Sequence, residues 1–170
     1  MNIFLPYEND INKSVQSLDN LRLNKQILET YQLLTNAIKE KRGQDVKGYT
    51  NHPVYVFYKT NLPFLMWYGY SCCREYQYRF QKPHKLTTNF MSAIMLFNVV
   101  EENVAYIPYY MEGSKGQPNY IRTTENVSAL FQQKLINKWN NDNAKGRQPR
   151  WTNRNIPDFY IKYLQEVENG

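Results

Sequence analysis

Arg22, Lys25, Gln26 and Glu29 have the residue types that bind phosphate and move a proton, and they sit close together in the sequence. They lie in "LDNLRLNKQILETYQLL" (18–34), where Leu23, Ile27, Tyr31 and Leu34, followed by Ile38, recur at intervals of four, four, three and four. That is the period of a helix laid on a core. At about 100° per residue the four polar residues share roughly one third of the circumference, opposite the apolar stripe. Two readings fit. A solvated face carrying a Lys25–Glu29 pair at i, i+4 has this pattern and little energetic consequence. So does the floor of a site in which cations grip phosphate and keep Glu29 ionised, as a base or an electrostatic stabiliser.

A second constellation is the late basic loop with Lys145, Arg147, Arg150 and Arg154, interrupted by Trp151. Cations beside a flat ring suit phosphate contact and base stacking; an exposed loop whose Trp packs inward has the same composition. Lys134 and Lys138, one turn apart just before it, extend the basic patch. His52 and His84 read as capping or core-edge histidines, with His52 also a candidate for the lining of a site. Glu75, near Arg74 and Arg79, reads as a buried, paired carboxylate and as the reserve candidate for an acid. The chain has no phosphate-cradling glycine motif, nucleophilic serine motif or His/Glu metal spacing. Cys72 and Cys73 are adjacent, so they staple no distant segments, and two cysteines with two histidines make no structural zinc site. No metal and no cofactor are expected.

The elements that must position these groups are helical. A first long helix is expected from about Ser17 to Lys41, capped by Ser17 or Asp19, after a polar loop to about Ser14. "HPVYVFYKT" predicts a short helix with Pro53 in its first turn. Asn61 is placed to cap "NLPFLMWYGYSCCREYQYRF", apolar almost all round and so the central buried helix. "TTNFMSAIMLFNVV" predicts an amphipathic helix behind a Thr cap. Residues 101–122 read as irregular. A further helix follows Thr123 or Thr124, and Pro157 opens a last short one. With no β-alternation, the expected fold class is all-α: one compact domain, 1–170, built on the long first helix and the aromatic-rich central helix.

A chain of 170 residues fits one ordinary domain, and 42% hydrophobic content suffices for its core. The charge of +6 suits an anionic partner such as nucleic acid. Fifteen tyrosines supply rings with polar tips for a half-buried surface. The opening "MNIFLPYEND" lacks the pattern of a signal peptide, no run is long enough to span a membrane, and reduced thiols fit a cytoplasmic protein.

The ordered set of "MNIFL", "SLDNLRLNKQILETYQLL", "NHPVYVFYKTNLPFLMWYGYSCCREYQYRF", "FQQKLINK" and "QPRWT" resembles the pyrimidine-dimer DNA glycosylases of the endonuclease V family. The resemblance implies that Glu29 stands at the catalytic glutamate and the amine of Met1 at the nucleophile. It implies that Asn2 and Lys134 stand where the family has phosphate-binding arginines, and that Leu28 replaces an arginine just before the glutamate. The implied activity is a DNA glycosylase with abasic-site lyase activity on a damaged or modified pyrimidine in duplex DNA, through a Schiff base to the N-terminal amine, on a flipped-out nucleotide. Double-stranded DNA is the expected partner and a monomer the expected state. Asn2, Arg22, Lys25, Gln26, Lys134, Lys138, Arg147, Arg150 and Trp151 are the expected DNA-binding residues. The alternative is a non-catalytic nucleic-acid-binding module that keeps the fold.

Overall fold

The computed structural model describes residues 1–48, 50–114, 117–121 and 126–170, with the backbone alone for 113, 114 and 117–121. Seven α-helices follow one another among the described residues: α1 (Ile11–Gln16), α2 (Asn20–Lys41), α3 (Pro53–Tyr58), α4 (Leu62–Phe80), α5 (Thr87–Leu96), α6 (Val127–Ala144) and α7 (Asp158–Asn169). A 3-10 turn spans Glu101–Asn103, and a two-stranded antiparallel ribbon pairs β1 (Tyr110–Ser114) with β2 (Gln117–Ile121), Tyr110 opposite Ile121. The fold class is all-α, as expected. The ribbon is a correction, since residues 101–122 read as irregular; their Tyr-rich, Gly-punctuated run does not alternate, so no period-2 signal marks it.

The "polar loop" before the first long helix is partly α1, capped by the Asp10 carboxylate, which accepts from the Lys13 amide at 2.8 Å. The long helix therefore starts at Asn20 rather than Ser17. Its flanking residue is Asp19, but the Asp19 carboxylate makes no capping bond. It is instead buried, accepting from Trp139 Nε1 at 2.8 Å and from Arg22 at 3.2 Å. Asn61 likewise precedes α4 without capping it, its amide donating back to the Phe57 carbonyl. Leu86, not a threonine, precedes α5. The caps expected at Thr123 or Thr124 lie outside the described residues.

Helix α4 is the central element: Phe64, Leu65, Met66, Tyr68, Cys72 and Cys73 are all buried, and α1, α2, α3 and α5 pack around it. Gly69 is required here by close approach. A Cβ at this position would lie 2.1 Å from Cε1 of Phe90, the one fully buried residue of α5. Along α2 the stripe Leu23, Ile27 and Leu34 is buried against α4, with Leu33 and Ala37 extending it. The chain from Trp139 to Tyr160 wedges against the start of α2: Trp151 Nε1 donates to the Ser17 carbonyl at 2.8 Å, and Asn20 N–H to the Arg150 carbonyl at 2.8 Å. Among the described residues no helix is long and apolar enough to cross a membrane.

Candidate active site

The chain's first residues run over the polar side of α2 and are held almost wholly by side chains. Gln26 Nε2 donates to the Asn2 carbonyl at 2.7 Å, and Gln26 Oε1 accepts from the Phe4 amide at 3.0 Å. Ile3, Phe4 and Leu5 are buried, so this segment is fixed by packing as well as by hydrogen bonds. Met1 is thereby brought to a cleft of about 260 Å³ lined by Asn2, Phe4, Leu21, Arg22, Lys25, Gln26 and Glu29 from the N-terminal side, and by Lys134 and Lys138 from α6. The long helix supplies the carboxylate, α6 supplies two cations, and the amine closes the arrangement.

The electrostatics of the cleft are mutual. Burial lowers the pKa of the Met1 amine below the ordinary α-amine value; the Glu29 carboxylate opposes this, and Lys134, Lys138 and Lys25 reinforce it. Burial raises the pKa of Glu29, against the pull of Lys25, the amine and Lys138. Lys25 reaches Glu29 at 3.6 Å, but its side chain is 65% exposed, so the pair is weak. Lys138 is pushed down by burial and by Arg22, Lys134 and Lys25, and Lys134 by burial. His52, at the start of α3, has its pKa lowered by burial and by the positive charge of the amine, but it does not line the cleft. An amine with part of its population neutral, beside a desolvated carboxyl group and a ring of cations, can attack an electrophilic carbon and shuttle a proton while anionic oxygens are held.

Several of the residues expected to bind DNA are otherwise engaged. Asn2 is buried, and its carboxamide clasps Met111 of β1, donating to the carbonyl at 3.0 Å and accepting from the amide at 2.9 Å. At 4% exposure the side chain is turned into the fold and away from any phosphate at the surface. Gln26 is 1% exposed and committed to the backbone of residues 2–4. Of the four polar residues Arg22, Lys25, Gln26 and Glu29 it lies nearest the apolar stripe on the helical wheel, which is why it faces inward. Arg22 is ion-paired with both Asp19 and Asp142, and its side chain is only 12% exposed, so its charge is neutralised within the fold. Trp151 is buried edge-on against Trp139, 5.0 Å between ring centroids, and is not available to stack on a base.

Glu75 is not part of the cleft. It is buried, paired with Arg79 at 3.0 Å and Arg154 at 2.7 Å, and lines a separate pocket that shares no residue with the Met1 cleft. The reading of Glu75 as a site-lining acid is therefore withdrawn. Arg147 and Arg150 remain exposed on the loop after α6. Lys134 is in the cleft, its ammonium donating to the Met111 carbonyl at 3.1 Å and lying 5.4 Å above the centre of the Tyr110 ring. Neither Asp142 as the partner of Arg22 nor Tyr68 as a second holder of Gln26 is legible in the sequence, because both meet their partners across long sequence separations. Leu21, 61% exposed at the cleft, carried no sequence signal either.

A family model described as pyrimidine dimer DNA glycosylase matches residues 1–89. That span holds Met1, Lys25, Glu29 and His52, whereas Lys134 and Lys138 lie beyond it. No curated protein and no solved structure matches the chain. With more than half of its residues matched, the chain belongs to the pyrimidine dimer DNA glycosylase family.

Proposed function

We propose that the Met1 cleft is the active site of a glycosylase with abasic-site lyase activity, acting on a damaged pyrimidine in double-stranded DNA. The observation that carries the reading is the sharing of one cleft by the Met1 amine, Glu29 and three lysines. The neutral amine attacks C1′ of an extrahelical nucleotide, and the electrons of the N-glycosidic bond leave with the base, which takes up a proton. The amine nitrogen gives up its proton, the C1′–O4′ bond opens, and O4′ is protonated, leaving an iminium at C1′. Removal of a proton from C2′ then expels the 3′ phosphate, and water releases the sugar fragment from the amine.

Glu29 fits the proton-handling role for a stated reason. Burial raises its pKa, so it accepts a proton more readily than an exposed carboxylate and returns it to O4′. A low pKa is what the amine needs, because an ordinary lysine near 10.4 is almost wholly protonated at neutral pH. Lys25, Lys134 and Lys138 bind the phosphates flanking the reacting sugar, and Arg147 and Arg150 extend the contact along the backbone of the duplex. The protein acts as a monomer and without a metal ion.

The test is incubation of the protein, expressed from Met1, with ultraviolet-irradiated and untreated duplexes of one sequence. Cleavage of a glycosidic bond at the damaged site with strand nicking, confined to the irradiated duplex, is expected. Salt-dependent binding to both duplexes without glycosidic cleavage or nicking would make the protein the non-catalytic binding module instead.

A further inference from the structure

Residues 2–6 belong to no helix or strand. Among the described residues none of their peptide groups bonds to another backbone group, yet the carbonyls of residues 2, 4, 5 and 6 accept hydrogen bonds from side chains. The Asn2 carbonyl takes Gln26 Nε2 at 2.7 Å, Phe4 takes the Tyr68 hydroxyl at 2.9 Å, Leu5 the Tyr106 hydroxyl at 3.3 Å, and Pro6 takes Gln132 Nε2 at 2.8 Å. Gln26 is the member that bonds both an N–H and a C=O. The carbonyl of residue 2 and the amide of residue 4 lie on one edge of an extended chain, and a single carboxamide bonds both, as a neighbouring strand would. The orientation of that carboxamide is not arbitrary. The Phe4 amide can only donate and the Asn2 carbonyl can only accept, so Oε1 and Nε2 are fixed; the single proton of the Tyr68 hydroxyl is shared between Oε1 at 2.7 Å and the Phe4 carbonyl at 2.9 Å.

We propose that Gln26, locked by Tyr68, is a positioning residue whose carboxamide holds the first residues of the chain so that the Met1 amine stays in the cleft beside Glu29. The proposal rests on the reading of that amine as the nucleophile. Gln26 stands one turn before Glu29 on α2, so one rigid helix carries both the acid and the clamp that aims the amine. Asn2 holds the same segment from its other side by clasping Met111. A purely structural role would satisfy the same peptide groups, so the test needs readouts that packing alone does not move.

Two variants separate the possibilities. Gln26→Met keeps the volume and removes both bonds; Tyr68→Phe keeps the ring and removes the hydroxyl, and carries the test if the first fails to fold. The charged groups facing the amine are Glu29 and Lys25 on α2, Lys134 and Lys138 on α6, and His52 before α3. Trace acetylation of the amine against pH, read by mass spectrometry of the N-terminal peptide, follows its environment without any need for activity. In Gln26→Met its midpoint rises towards the free α-amine value of about 7.7–8.0 as the amine leaves the cleft. Borohydride trapping on an abasic duplex slows about ten- to a hundredfold, while affinity for a duplex with a tetrahydrofuran abasic analogue holds within about twofold. Folded variants with a wild-type acetylation midpoint and trapping rate would overturn the proposal. A shifted midpoint in variants of a protein that never traps DNA would leave Gln26 as the clamp of the amine and dismiss the amine as nucleophile.

Discussion

Replacing Glu29 with glutamine should remove most of the activity and none of the stability. At neutral pH the carboxylate is held in a place that favours its neutral form: burial raises its pKa despite Lys25, the amine and Lys138, whose attractions are already counted against it. The sign follows from linkage. Between the ordinary carboxylate value and the raised one, the folded state holds more protons than the unfolded state, so stability falls as pH rises through that window and stays lower above it. An amide removes this penalty. What it loses is the Lys25 contact at 3.6 Å, worth about 0.3–0.5 kcal/mol with a partner so exposed. The net change at pH 7 is between zero and about 1 kcal/mol of added stability, or a rise of up to about 2–4 °C in melting temperature for a chain of this size. Turnover on an abasic duplex, measured as single-turnover nicking on a gel, should fall about 10²–10⁴-fold, which is about 2.7–5.5 kcal/mol of transition-state stabilisation. A variant that melts several degrees lower would show Glu29 to be a structural ion-pair partner. A variant that nicks at the wild-type rate would remove it from the chemistry.

Other outcomes follow from the same geometry. The rate of adduct formation should rise with pH through a midpoint below the ordinary α-amine value, since burial and three lysines favour the neutral amine; a midpoint at or above about 8.0 in the pH profile would contradict this. Arg22→Ala should cost about 3 kcal/mol or more in a thermal melt by stranding the buried Asp19, yet leave the salt dependence of DNA binding unchanged; Lys138→Gln should instead lower that slope by about 1. Gly69→Ala should destabilise by about 1–3 kcal/mol or more, because its methyl would lie 2.1 Å from the Phe90 ring; a wild-type melting temperature would refute that packing.

The helices were legible where periodicity and punctuation agree. The stripe on α2, the proline at the start of α3 and the aromatic run of α4 each have one physical reading, and each element is found within a few residues of its expected place. The ribbon at Tyr110–Ile121 was not legible, because it is short and its tyrosines do not alternate with polar residues. The cleft was legible only in part. Glu29 and Lys25 share a helix face by spacing alone, whereas the arrival of Lys134 and Lys138 beside them depends on how α6 packs. The opposite error occurred at Arg22, Gln26 and Trp151. Sequence shows a charge, an amide or a ring, but not the Asp142, Phe4 or Trp139 that occupies it. Asn2 illustrates the point most plainly: aligned with a phosphate contact, it is consumed by the backbone of Met111, a residue more than one hundred positions away.

The claim on which the account turns is that the α-amine of residue 1 forms the bond to DNA. Borohydride reduction of the protein on an abasic-site duplex, followed by proteolysis and mass spectrometry of the cross-linked peptide, locates that bond directly. A sugar-phosphate adduct on the nitrogen of Met1 is the expected result. An adduct on Lys25, Lys134 or Lys138, or no adduct at all under conditions where the duplex is bound, would contradict it.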